Sequence, residues 1–195
     1  MMYHALFGNA SFWAFLFSVD EELAEATRQA GCPCGGHLHC ANYPRKPGGG
    51  CGNLPESYRY RLSFCCERDG CRKRATPPSV RFLGRKVFLG AVVVLVAAMR
   101  HGPSPRRVRE LTELFDVDRR TIARWSVFWR EHFPQTPFWK VARTRFVLGR
   151  AIADLPRVLF DAFIHSEDSR EDWERLLRFL SPITTTGGLG ITGIS

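Results

Sequence analysis

The sequence has no P-loop, no dinucleotide-binding fingerprint and no Ser-His-Asp arrangement, so nucleotide-driven and serine-hydrolase chemistries lack their residues. The stretch Met1 to Phe7 places no positive charge ahead of the apolar Phe12 to Phe17 segment, and no secretory signal is expected. A second apolar run, Val87 to Met99, is thirteen residues long and includes Gly90. A bilayer-spanning helix needs roughly 18 or more, so this run reads as a buried helix and no membrane partner is expected. The seven cysteines are an odd number and fall mostly in clusters. Without an export signal, a disulfide framework gives way to metal ligation in a reducing cytosol.

What is present is a chain that can fold and that is unevenly charged. Hydrophobic residues make up 45% of it, enough for a core. Residues 41–150 carry 23 basic and 8 acidic side chains, whereas residues 1–40 and 151–195 each carry a net charge of −3. Basicity confined to the middle of a chain is the footprint of a polyanion partner. The acidic flanks are expected to face away from it. They are candidates for contact with a recombinase or transposase, or with a second copy of the chain.

Five segments are expected: a helical lead (1–30), a zinc-ribbon-like module (31–80), a helix-turn-helix domain (81–133), C-terminal helices (134–183) and a disordered tail (184–195). The fold class is α+β, mainly α. In the lead, Ser18 and Glu21 have capping-box spacing and Gly31 marks the stop. Tyr58 to Phe64 alternates with the period of a strand. Pro77-Pro78 reads as a linker or extended segment, and a helix is expected over Lys86 to Arg100.

Two cysteine clusters about thirty residues apart bracket a stretch rich in glycine, proline and tyrosine. Zinc takes four soft ligands at tetrahedral corners and replaces the core that a small β module lacks. Cys32 and Cys34 supply one edge of the expected site, and Cys66 and Cys71 the other. Cys65 is an alternative to Cys66, and His37 or His39 to Cys34. One residue separates the first pair and four the second, against two in a common zinc-ribbon knuckle. Cys40 and Cys51 have no paired neighbour and are left out.

The second motif is a three-helix pattern. Ser104 can cap a helix with Pro105 at its first position, Asp116-Val117-Asp118 is the turn, and Asp118 can cap the next helix through His132. Leu111, Phe115, Val117, Ile122, Trp125 and Trp129 face inward. Arg119, Arg120, Thr121, Arg124 and Arg130 are expected to point outward toward duplex DNA, because a guanidinium can address guanine edges or straddle a phosphate. Arg72, Lys73 and Arg74 would extend the contact along the backbone.

Over Cys32 to Phe133, the order of cysteine pair, Tyr-Arg strand, second cysteine cluster with Arg72-Lys73-Arg74, apolar helix and Phe115 to Trp125 resembles the N-terminal region of certain insertion-sequence transposases. That resemblance implies a zinc ribbon and helix-turn-helix that recognise terminal inverted repeats. No counterpart of the family's acidic-triad nuclease domain is expected in the roughly 60 residues that follow the motif.

The sequence thus points to a non-catalytic, zinc-stabilised DNA-binding protein, transposase-related or a transcriptional regulator, cytoplasmic and nucleoid-associated when bound. The alternative from another class is a zinc-containing protein-interaction adaptor of a recombination system. His37-Leu38-His39 with Tyr43, Tyr58 and Tyr60 also matches the His-hydrophobe-His element of tyrosine nucleases, a short motif that arises often by accident. Asp154, Asp161, Asp168 and Asp172 lie among arginines, and surface ion pairs explain them.

Overall fold

A computed structural model describes residues 6–46, 54–83, 88–97, 109, 112–113, 115–146, 155–166 and 168–185. It is α+β and mainly helical, with small antiparallel sheets. Among the described residues, no helix is long and apolar enough to cross a membrane.

Helix α1 spans Ala10–Ala30. It starts eight residues before Ser18, because Asn9 is the cap: its Oδ1 accepts from the Ser11 amide at 2.9 Å. Phe12, Trp13, Leu16 and Val19 then form a buried stripe at helical spacing. That stripe carries the helix through the expected capping box, and the Ser18 hydroxyl bonds back to the Phe15 carbonyl at 2.8 Å. Gly31, at φ +70°, ends the helix as expected.

The next segment holds two small sheets. Strands β1 (Leu38–Cys40), β4 (Phe64–Cys66) and β5 (Arg74–Ala75) form one, in the order β1-β4-β5. Strands β2 (Tyr43–Pro44) and β3 (Tyr60–Arg61) form the other. The single strand expected over 58–64 is divided. Glu56–Arg59 is a 3-10 turn begun at Pro55, and it drives Tyr58 into the core, where its hydroxyl donates to the Trp13 carbonyl at 2.9 Å.

Pro77 is buried, and its carbonyl accepts from Arg61 Nη2 at 2.5 Å, so the double proline leads into the core as an extended segment. Strands β6 (Phe82–Leu83) and β7 (Phe88–Leu89) then pair as a hairpin. Consequently helix α2 begins at Gly90, later than expected, and runs over Gly90–Ala97. A Cβ on Gly90 would meet Leu177 and the Val80 carbonyl at 3.3 Å, and glycine lets strand turn into helix there.

Asp116 adopts a positive φ of 49° and turns the chain into α3 (Arg119–Val127). The Asp118 cap is present, its Oδ1 2.7 Å from the Thr121 amide. Ser104 and Pro105 lie outside the described residues. Helix α3 passes into a π-helical turn, Phe128–His132, and α4 (Pro137–Ala142), α5 (Arg157–Phe163) and α6 (Arg170–Leu180) follow. The chain beyond α6 is folded through Thr184: Ile183 is buried, and Thr184 Oγ1 accepts from the Ser79 amide at 2.9 Å. Residues 186–195 of the expected tail lie outside the described residues.

One large core joins α1, Tyr58, the β6-β7 hairpin, α2, α3 and the C-terminal helices, with Phe7 edge-on to Trp173 and Trp13 edge-on to Tyr58. The three-stranded sheet has a separate cluster of Ala24, Cys32, Leu38, Phe64 and Cys66. Burying an aliphatic or aromatic side chain contributes about 1.5–3 kcal/mol, against about 1–2 kcal/mol to order each residue's backbone. The cluster has only Leu38 and Phe64 of that size, which do not offset the ordering of this module, and something besides apolar burial must hold it.

Candidate metal centre and basic surfaces

Two tight turns bring four sulfurs together. In the first, the Gly35 amide donates to the Cys32 carbonyl at 2.8 Å and the Cys32 amide to the Gly36 carbonyl at 3.2 Å. Positive φ at Gly31 and Gly35 makes this path natural for glycine. In the second, the Cys71 amide donates to the Arg68 carbonyl at 3.1 Å, with Gly70 and Arg72 both at positive φ. The β1-β4 ladder, with Leu38 opposite Cys66, sets one turn beside the other, and Arg68 Nη1 locks them by donating to the Cys34 carbonyl at 2.5 Å.

The sulfurs of Cys32, Cys34, Cys66 and Cys71 lie within 4.8 Å of one another, and the four could hold a metal ion. Individual separations are 3.4 Å for Cys32–Cys34, 3.5 Å for Cys34–Cys66 and 3.7 Å for Cys32–Cys71. Disulfide sulfurs stand about 2.05 Å apart. Four thiolates about 2.3 Å from one ion at tetrahedral corners stand about 3.8 Å apart, close to what the turns impose.

The electrostatics already distinguish the thiols. The Gly36 amide, with the neighbouring thiols of Cys71, Cys32 and Cys66, lowers Cys34 to about 6. The Arg68 amide acts the same way on Cys66, but burial and the three other thiols outweigh it and raise Cys66 to about 12. Backbone amides aimed at sulfur are what a thiolate cluster needs. Gly36 is also a steric requirement: a Cβ there would stand 2.6 Å from Cys66 Sγ.

The alternative ligands are directed elsewhere. Cys65 faces away from the cluster, its Sγ 3.5 Å from the Arg72 carbonyl, because adjacent residues on a strand point to opposite faces. His39 Nε2 lies 3.1 Å from Glu67 Oε2, and Glu67 Oε1 accepts from the His37 amide at 3.1 Å. These contacts, the His37 amide foremost, hold the Glu67 carboxyl below its usual range. Cys40 is exposed, and Cys51 lies outside the described residues.

Compared with known proteins, the chain matches no family model, none of the curated proteins and none of the solved structures.

Of the expected DNA contacts, Arg119, Arg120, Arg124 and Arg130 are exposed. Thr121 is not: it is 4% exposed, and its hydroxyl donates to Asp118 Oδ2 and accepts from Arg124 Nη2. Its position in the first turn, facing the cap, turns it inward. Arg130 Nε donates to the Ser126 carbonyl at 3.3 Å. Arg72 and Lys73 are exposed, with Arg72 paired to Asp69 at 2.6 Å. Arg74 braces the sheet, its Nη1 donating to the Ala41 carbonyl at 2.8 Å and to Ser63 Oγ at 3.1 Å.

Of the residues in the His-hydrophobe-His reading, Tyr58 has its hydroxyl bonded inside the core and His39 Nε2 lies against Glu67. Asp161 pairs with Arg157 at 2.8 Å as expected, whereas Asp172, expected in a surface pair, is buried: its carboxylate accepts from the His165 and Ser166 amides and pairs with Arg175. Sequence reading placed the glycines after Cys34 in a tight turn around the metal, as found, but missed the contact of Gly36 with Cys66 and missed Glu67 and Arg68 as parts of the centre. Each acts through a partner about thirty residues away, and only the short spacing within Cys66 to Cys71 hinted at such contacts.

Proposed function

We propose that the chain is a DNA-binding protein in which Cys32, Cys34, Cys66 and Cys71 hold a structural zinc ion and α3 lies against duplex DNA. Four thiolates at tetrahedral spacing suit zinc and leave it no open position, so the ion supplies folding energy and no reaction. The module it closes resembles a zinc ribbon, and the sequence from Phe115 through α3 resembles the turn and second helix of a helix-turn-helix of the kind found in insertion-sequence transposases.

The observation that carries the reading is the asymmetry of α3. Thr121, Ile122 and Trp125 are buried on one side, while Arg119, Arg120 and Arg124 stand exposed on the other. Recognition helices meet the major groove with their N-terminal residues, and Arg119 and Arg120 open this helix. Phosphate contacts by these arginines supply affinity, and base edges supply whatever selectivity there is.

Fluorescence anisotropy with duplex oligonucleotides at several salt concentrations tests this. Binding should weaken steeply with salt, and changing Arg119, Arg120 and Arg124 together to alanine should lower the logarithmic salt slope by about one per lost phosphate contact. Wild-type protein that binds no duplex at low salt, or a triple variant that binds as well as wild type, defeats the reading.

A further inference from the structure

Tyr43 on β2 carries two guanidinium groups on its ring. The Arg45 Cζ lies 4.6 Å from the ring centroid and that of Arg74, on β5, lies 5.3 Å from it. Arg45 is two residues on from Tyr43 and so faces the same side of the chain; its Nη2 reaches the Tyr43 hydroxyl at 3.4 Å. Arg74 crosses from the other sheet and is pinned by the Ala41 carbonyl and Ser63 Oγ through Nη1 alone. Among the described residues, neither guanidinium has a carboxylate within ion-pair distance.

Two like charges on one ring are unfavourable unless an anion joins them. A third cation, Arg61, the register partner of Tyr43, is buried and has its own carboxylate in Asp20, 3.9 Å from Nη1; burial foremost, with Arg45 acting in the same direction, lowers its pKa against the pull of Asp20. Each guanidinium offers five N–H donors in a planar fork. Among the described residues, Arg45 leaves Nε and Nη1 without a partner, and Arg74 leaves Nε and Nη2. Stacking on Tyr43 has already ordered both side chains, which removes much of the entropy that an exposed arginine loses on binding.

We infer that Arg45 and Arg74, held over Tyr43, form a phosphate-binding site in the cysteine module, and that its ligand is a phosphodiester of the nucleic-acid backbone. A phosphate oxyanion accepts paired N–H donors from guanidinium forks, the strongest hydrogen bonding an arginine makes. The choice of nucleic acid as ligand rests on the function proposed above. The oxyanion site itself does not.

The test follows the arginine Nε–H resonances of the zinc-loaded full chain by NMR during addition of a duplex and, separately, of inorganic phosphate. With duplex, the Arg45 and Arg74 signals should shift, and Arg45→Gln should weaken binding about three- to tenfold and lower the salt slope by about one. Arg45 holds only Tyr43 among the described residues, so this variant should keep the metal; the shifts in native protein give an answer even if it does not. Duplex binding with neither resonance moving overturns the site and leaves the function standing. Phosphate shifting both resonances while no duplex binds upholds the site and overturns the function. Silence to both ligands overturns the site.

Discussion

Asp20 on α1 and Arg81 before β6 form a fully buried ion pair, with Nε 2.7 Å from Oδ2. The carboxylate also accepts from Ser79 Oγ at 2.6 Å and from the Val80 amide at 2.7 Å, and Arg61 Nη1 stands 3.9 Å away. The Arg81 guanidinium lies against the rings of Phe17, Tyr58 and Phe82, and its Nη1 donates to the Ser57 carbonyl. This hub ties α1, the turn before β3 and the β6-β7 hairpin together, and so fixes the cysteine module on the helical body.

Asp20→Asn should therefore be among the most damaging single changes. It leaves two buried arginines without a counter-charge, a loss of about 3–5 kcal/mol. Urea denaturation should show a large drop in midpoint. A drop as small as that of an exposed substitution such as Glu21→Gln would mean that the hub contributes little.

Gly35 and Gly36 are adjacent, yet alanine should act differently at each. At Gly36 the new methyl group would stand 2.6 Å from Cys66 Sγ, and metal affinity should fall sharply. At Gly35 nothing lies within 4 Å, so only the positive φ of 80° is strained, at a cost of roughly 1–2 kcal/mol. Competition with a chromophoric chelator should separate the two, with Gly35→Ala keeping near-native metal affinity.

Local chemistry was legible in the sequence, and long-range chemistry was not. Gly31 and Asp118 act through neighbours one turn away, and both end or begin helices where the residue types say they should. The four cysteines could be named because their two turns are each written within five or six residues. The alternation over 58–64 misled because Tyr58 is drawn inward by Trp13, 45 residues earlier. Ser18 misled because the aromatic stripe upstream keeps the chain helical past it. Of the two readings of the double proline, the extended segment is the one found, and what keeps it from being a free linker, Arg61 and Asp20, lies far away in sequence.

Asp172 sets an acid limit for the C-terminal helices. Burial works to raise its pKa, but the Ser166 and His165 amides at 2.9 and 2.7 Å, with Arg175, prevail and lower it. A carboxyl with a lowered folded pKa contributes its full stability above its unfolded value and loses it as pH falls through the folded one. Asp172→Asn should thus destabilise the chain by about 1 kcal/mol or more at pH 7. The gap between variant and wild type should close below the ordinary carboxylate range, as followed by thermal melts from pH 7 downward. A gap that stays constant with pH would assign the loss to packing.

The cysteine positions make opposite predictions for neighbours in sequence. Cys66 points into the four-sulfur cluster and Cys65 away from it, so Cys66→Ser should abolish tight metal binding while Cys65→Ser leaves one ion per chain. X-ray absorption on the zinc-loaded protein should give four sulfurs at about 2.3 Å in wild type and in the Cys65 variant alike. Because the module's own apolar cluster is so small, chelation should release the sheet first: the Cys66 amide, bonded to the Lys73 carbonyl at 3.0 Å, should exchange with solvent. Amides of the large core around Trp13 and Trp173 should stay protected, since their burial owes nothing to the ion. A three-sulfur shell in wild type, or loss of the ion on changing Cys65, would require a different ligand set.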